Sequence, residues 1–437
     1  MCTLLSSEFA RNATQPPHTS DTSDRLPARS PSSDISILIV GGGVAGLLAG
    51  LECWRKGHDV RILERSPSRL SSGDSFTIGP TAIRVLQKWP EMAEENELIS
   101  YEPWISWHRI TGEMISGPKP FELNPPKVNA GDQDSHFVLQ GGERLEADMV
   151  IAADGIGSIS SSVTLNHEVR ARTTGFSIYR ASCPIDLALA DPDFEDKFPL
   201  LESGIPSGQL WLGDGVHALF GRTHDEMAWY LTYPNRGKST ESWSNMVDPE
   251  TVLQTTATIE GWPEYANRLI QATPKSQIHD FKLMWREPQP CWTSSTGRVI
   301  QIGDAAHTFL PSSGNGATQG MEDAISLATC LHIAGKDNVP WATRLLGVLN
   351  HEIRNRSANA KVSQTKPVGL LGTWIWQHDP EQYAIENYTS ALAHLAGGSA
   401  FHNTNIPPGY VYQPWTIDGL LKALEMGEEI VLDGDWE

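Results

Sequence analysis

Ile35-Ser36-Ile37-Leu38-Ile39-Val40-Gly41-Gly42-Gly43-Val44-Ala45-Gly46 is the stretch from which the architecture is read. An apolar run of β character ends in the pattern G-x-G-x-x-G, residues Val44 to Lys56 have helical composition, and Asp59 to Glu64 returns to strand character. That β-α-β order is the signature of a parallel sheet. Gly41 permits a tight turn, Gly43 lets a pyrophosphate approach the backbone, and Gly46 allows the helix to pack closely on the strand. The unpaired N–H groups and dipole at the helix start favour an anion. Glu64, at the end of the second strand, is placed to accept hydrogen bonds from a ribose. An acid there disfavours a 2′-phosphate, so the pattern predicts FAD or NAD in preference to NADP.

Outward from this unit, composition narrows the partners. The chain has 437 residues, enough for two packed domains. Its 33 basic and 53 acidic side chains give a formal charge of −20, which repels nucleic-acid phosphates and anionic lipid heads. Cys2, Cys53, Cys183, Cys291 and Cys330 form no C-x-x-C pair and fit reduced thiols. Five glycines interrupt the apolar run Ile35 to Leu51, which is shorter than the ~20 residues of a membrane span. Residues 1–34 are rich in Ser, Thr, Pro and Asp with no apolar h-region, which predicts a disordered tail and a cytoplasmic protein.

Further strands are expected at Phe137 to Leu145, with Gly141-Gly142 as a turn, and at Asp148 to Ala153. Between residues 170 and 290, β-like stretches (Gly175 to Ala181, Gln209 to Gly221, Met227 to Thr232) are parted by Pro, Asp and Gly, as in a separate, mostly antiparallel sheet. Arg298 to Ile302 is a short strand, followed by a long helical pattern from Thr318 to Ala334. The segment after residue 370 is rich in Trp, His and Pro and yields little.

Three separated motifs then occur in order. Ala153-Asp154-Gly155 follows a strand; Val299-Ile300-Gln301-Ile302-Gly303-Asp304-Ala305-Ala306-His307 ends another; Pro311, Gly314-Asn315-Gly316-Ala317 and Glu322-Asp323-Ala324 come next. Together they resemble the D-G and G-D segments of the group A FAD-dependent monooxygenases related to para-hydroxybenzoate and salicylate hydroxylases, of the fungal specialised-metabolism type. The resemblance covers most of residues 35–335 and implies an α/β fold. In that fold a Rossmann-like FAD-binding domain of the glutathione-reductase type, with a mixed sheet (35–165 and 296–365), carries an inserted, mostly antiparallel β-sheet substrate domain (170–290). A tail (1–34) and a C-terminal extension (370–437) flank them. The resemblance further implies that Asp304 binds the ribityl chain, and that the loop after Pro311 lies along the isoalloxazine. The helix N-terminus at Gly316 and Ala317 would then face the ring's pyrimidine edge, where reduced flavin is negative. Gly41, Gly43, Gly46, Glu64, Gly73, Asp154, Asp304, Pro311, Gly316 and Ala317 are the cofactor-binding positions expected on this basis. For Asp154 a helix cap or turn role is the alternative.

The implied chemistry uses NAD(P)H as a transient co-substrate and O₂. One oxygen atom passes through a flavin C4a-hydroperoxide to a small aromatic, polyketide-like or isoprenoid substrate, hydroxylating or epoxidising it in secondary metabolism. Gly175-Phe176-Ser177-Ile178-Tyr179-Arg180 resembles the strand that ends in an active-site arginine, which makes Arg180 the catalytic candidate; a surface ion pair is the alternative. Relatives place a tyrosine on the next strand facing that arginine, whereas the stretch His217 to Arg222 holds none. His307 reads as a packing imidazole rather than a metal ligand. Trp374-Ile375-Trp376 lies too late for a halogenase W-x-W motif, so core packing is expected.

One departure stands out. Relatives carry a longer crossover between Glu64 and Asp154, with a helix whose arginine contacts FAD; here Pro125-Pro126-Lys127 leads through a short polar stretch, Val128 to Ser135, into the Phe137 strand. Arg109, in a strand expected over Ile105 to Ile115, does not align with the missing residue. Two readings stay open: a skipped coding segment, or a genuinely shortened chain. The alternative to an active monooxygenase is an inactive remnant with impaired FAD binding; a flavin oxidase or reductase is a third reading.

Overall fold

The computed structural model describes residues 26–65, 74–101, 104–120, 127–131, 145–201, 204–235, 245–308, 314–359, 378–405, 410–411, 415–428 and 435–436. The opening unit folds as its pattern requires. Strand β1 (Ser36–Val40) runs into helix α1 (Val44–Arg55), which returns to strand β2 (Asp59–Leu63). Ile35, Ile37 and Ile39 are buried while their neighbours alternate outward, and β1 lies in the middle of its sheet. The remaining strands, in chain order, are β3 (Asp74–Ile78), β4 (Ser100–Tyr101), β5 (Trp104–Arg109), β6 (Met114–Pro120), β7 (Lys127–Gly131) and β8 (Met149–Ala152). They continue with β9 (Arg172–Pro184), β10 (Ser207–Gly213), β11 (Val216–Arg222), β12 (Glu226–Pro234), β13 (Ile278–Trp285) and β14 (Val299–Gln301).

The first sheet has the order β14-β8-β1-β2, parallel in every pair. Helix α2 (Gly316–Ala334) follows β14 and is buried at every position from Thr318 to Leu331. Small residues on both helices bring it close to α1: a Cβ on Gly320 would stand 3.1 Å from the Ala45 Cβ. Helices α3 (Val339–Asn359) and α4 (Pro380–Leu395) pack outside it, and Leu345, Leu349, Tyr383, Ala384 and Ala391 join the same apolar core as Ile37, Ile151 and Ile300. Asp379 caps α4 by accepting from the Glu381 and Gln382 amides, with Pro380 in the first turn.

The second sheet has the order β13-β9-β12-β11-β10-β5-β6 and is antiparallel except for the pair β10 and β5. Its core face carries Tyr179, Trp211, Phe220, Trp229 and Leu231 against the helices Pro249–Thr256 and Glu264–Ala272. A small sheet, β3-β7-β4, adjoins.

Several expectations need correction. The strand expected over Ile105 to Ile115 is a hairpin, β5 and β6, because Thr111-Gly112 turns the chain with Gly112 at φ +82°. Both strands join the seven-stranded sheet, although their residue range suggested the first domain. Gln209 to Gly221 likewise splits at Asp214-Gly215 into β10 and β11. The polar stretch Val128 to Ser135 begins as β7, paired with β3 and β4. Residues 29–33, assigned to a disordered tail, strap the end of α1: Ser30 N donates to Arg55 O (2.8 Å) and Ser33 N to Gly57 O (3.1 Å). Residues 1–25, the turn at Gly141-Gly142 and Trp374 to Trp376 lie outside the described residues. Among the described residues no helix is long and apolar enough to cross a membrane.

Candidate functional site

The glycine turn is built as the spacing predicts. Gly41 has φ +107°, and a Cβ there would collide with the Ala153 carbonyl, just before Asp154; Gly46 packs in turn on the Gly41 carbonyl. No side chain is compatible with either contact. Gly43 differs: its φ is −73°, and a Cβ on it would meet nothing within 4 Å. It precedes α1 without a side-chain cap, so the first amides of the helix face an open side. The half-buried Glu64 carboxylate accepts from Gly42 N and Arg65 N, both at 2.5 Å, which fixes it at the rim of the turn.

The second motif meets the first from the far side of the sheet. Ile302 N bonds Ala152 O (3.0 Å), aligning the ends of β14 and β8. Gly303 then turns with φ +56°, and a Cβ there would stand 3.0 Å from the Ala45 Cβ. Asp304 therefore sits beside the start of α1. Its side chain is exposed to solvent. Desolvation by the surrounding protein raises its carboxyl pKa, against the pull of the His307 and Arg286 charges. The turn is held from behind by Asp323 of α2, which accepts from Gly303 N (3.1 Å), His307 Nε2 (2.5 Å) and Asn350 Nδ2 (3.0 Å). His307 packs on Trp292, ring centroids 5.0 Å apart, so it has a partner as well as the packing role read from sequence.

Gly316 and Ala317 open α2 and are half-buried; Thr318 Oγ1 accepts from Gly79 N (2.7 Å), tying the helix start to the end of β3. Strand β3 also packs beside β9. Asp154 is exposed at the end of β8, with Gly155 at φ +76°. Gly73 and Pro311 lie outside the described residues. The structure thus brings Gly41, Gly43, Gly46, Glu64, Asp154 and Asp304 to one rim, with α2 opening nearby.

Two side chains that the sequence did not single out join these loops. The buried Arg286, one residue past β13, donates through Nη1 to Ala305 O (2.9 Å) and through Nη2 to the carbonyls of Ile156 and Ser158 (3.2 Å to the latter). Buried Gln289 donates to Ala305 O (3.0 Å) and Ala306 O (2.9 Å). Neither belongs to a motif, and their only sequence signal is a polar residue just before a Trp-containing turn.

Arg180 lies on β9 on the face opposite Tyr179 and Ala181, which point into the core. The stretch His217 to Arg222 lies in β11, which does not pair with β9. Strand β9 pairs with β12, not β11, and Tyr230 stands directly opposite Arg180, the guanidinium 5.3 Å from the ring centroid. On the other side His279 of β13 is in register with Arg180. One row further, Ile178 is flanked by Thr232 and Phe281.

FAD fits these residues: a turn closed to side chains at Gly41, backbone open to an anion at Gly43, a carboxylate at each end and a helix start beyond. Comparison with known proteins agrees. One FAD binding domain model matches residues 132–338 and another matches 36–84. The FAD-dependent monooxygenase fsr3 of Gibberella fujikuroi is 34% identical over 93% of this chain and 90% of its own length. The FAD-dependent monooxygenase dmxR9 of Cryptosporiopsis is 34% identical over 94% and 92%. The solved structure of CtdE in complex with FAD and a substrate shares 25% identity at a TM-score of 0.70, covering 83% of this chain and 100% of that one. A salicylate hydroxylase substrate complex, 20% identical with a TM-score of 0.62 over 81% and 98%, shares the fold.

Proposed function

This chain belongs to the FAD-dependent monooxygenases, and from that premise we propose that it uses NAD(P)H and O₂ to hydroxylate or epoxidise a small aromatic, polyketide-like or isoprenoid molecule in secondary metabolism. Bound FAD would supply electron transfer and activation of O₂. Gly41, Gly43 and the first amides of α1 would receive its pyrophosphate, Glu64 a ribose, Asp304 the ribityl hydroxyls, and Gly316 and Ala317 the negative edge of the ring. Asp154 would border the pyrophosphate.

The observation that carries the substrate reading is the Arg180 and Tyr230 pair with His279 in register. A guanidinium over an aromatic ring is held in place, which suits it to orient an acidic hydroxyl or its oxyanion by a charge-assisted hydrogen bond. Ile178 and Phe281 in the adjacent row favour a planar, apolar body. Within the group A reading this supports a phenol or enol more than an unactivated isoprenoid. Nothing among the described residues favours the inactive remnant.

The test is to purify the chain, add FAD, and follow NAD(P)H oxidation with a panel of phenolic, enolic and isoprenoid compounds under ¹⁸O₂. One ¹⁸O atom should appear in product from a phenol or enol. Arg180→Ala should lower turnover about 100-fold or more while bound flavin stays within about twofold. Hydrogen peroxide as the sole product, with every compound in the panel, would mark an oxidase.

A further inference from the structure

We infer that Arg286 is a positioning residue that locks the two flavin-holding loops to each other and to the substrate sheet. The inference rests on the proposed FAD reading and goes beyond it: Gln301 of the second motif also joins the two loops, donating to Ser160 Oγ and Ala305 O (both 2.9 Å), but it does so from β14 itself, whereas Arg286 reaches both loops from the substrate sheet. The loop after β8 carries Asp154 beside the Gly41 turn, at the pyrophosphate end; the loop after β14 carries Asp304 at the ribityl end. FAD must touch both at once, so their separation sets how much of its binding is lost to ordering the protein. Arg286 spans them with one planar group: Nη1 on Ala305 O at 2.9 Å, Nη2 on Ile156 O and Ser158 O.

Its place in the chain adds a third body. Arg286 directly follows Trp285, the last residue of β13, whose His279 is in register with Arg180. The same side chain therefore fixes the end of a substrate-sheet strand on both cofactor loops. A guanidinium suits this task because its donors form a rigid fork; an ammonium is a single point that cannot hold both loops in one geometry. Gln289 is an internal control. It is also buried and also donates to Ala305 O, but its other bond goes to Ala306 of the same loop.

The experiment compares apoproteins and FAD titrations of wild type, Arg286→Lys and Gln289→Leu. Arg286→Lys should raise the FAD Kd at least about tenfold and abolish most of the FAD-induced rise in Tm, with the apoprotein Tm within a few degrees of wild type. Gln289→Leu should change the Kd by less than about threefold. Equal weakening by the two variants would overturn the bridging role, as would a lowered apoprotein Tm with an unchanged FAD-induced shift. A wild-type measurement covers the case of a variant that does not fold. Amides of residues 155–160 and 303–307 should exchange with solvent at matched rates and be protected by FAD in concert; independent exchange would also overturn it. Wild-type protein that binds no FAD would instead remove the cofactor reading, a result distinct from all of these.

Discussion

At Gly41 and Gly43 one motif separates into two kinds of residue. Gly41 is required by the protein: its φ of +107° and the Ala153 carbonyl leave no space for a side chain. Gly43 is required only by a ligand, because its backbone suits any residue and its Cβ direction is open. Gly41→Ala should destabilise the apoprotein by about 2 kcal/mol or more, through strain and the clash together. Gly43→Ala should leave apoprotein stability within about 0.5 kcal/mol of wild type yet weaken FAD binding. Chemical denaturation and flavin titration of both variants check this, and equal apoprotein losses would show that the motif is purely structural. The sequence made these roles legible because spacing encodes them. It could not reveal Tyr230, since nothing local says that β12 rather than β11 lies beside β9. Nor could it reveal Arg286, whose importance exists only once three distant segments converge.

Among elements, the connection from α1 to β2 shows how a short strap can impose a pH dependence. His58 immediately precedes β2 and is fully buried, with Nδ1 2.6 Å from Ser33 Oγ in the segment that the composition assigned to a disordered tail. Burial pushes its imidazole down to about 4 from an ordinary 6.5. Below pH 6.5 the unfolded chain takes up a proton that the folded chain refuses, so the stabilisation is complete above pH 6.5 and is lost as pH falls toward 4. The loss amounts to roughly 3 kcal/mol. His58→Gln should remove this increment. Urea unfolding of both proteins between pH 7 and pH 4 should show the wild type losing about 3 kcal/mol more than the variant, and parallel profiles would refute the assignment. Element identity was read well where period and punctuation agree, as in β1, α1, β2 and α2. It failed where a glycine turn lay inside an apolar run, as at Gly112 and Gly215, because alternation alone does not distinguish one strand from a hairpin.

For the molecule as a whole, the C-terminal extension belongs to the first core rather than hanging from it. Tyr383, Ala384 and Ala391 of α4 bury against that core, and Glu381 in its first turn gathers Arg55 Nη2 (2.9 Å), Lys56 Nζ (2.5 Å) and Lys88 around one mostly buried carboxylate. The sequence after residue 370 disclosed none of this, since a cluster of three cations on one acid forms only when segments more than 290 residues apart in sequence meet. Removing the acid leaves Lys56 and Lys88 without their carboxylate beside Arg55, which keeps only its pair with the buried Glu52 (2.6 Å), so the cations repel with little solvent to screen them. Glu381→Gln should therefore cost about 2 to 4 kcal/mol of apoprotein stability. The cluster lies at the C-terminal end of α1, about 18 Å along the helix from the glycine turn, so the FAD Kd should stay within about twofold of wild type while the folded population remains complete. The two quantities are read separately, by denaturant unfolding of apoprotein and by flavin titration below the transition. A large loss of affinity at full folding would mean that α4 sets the position of α1, making the extension part of the cofactor site.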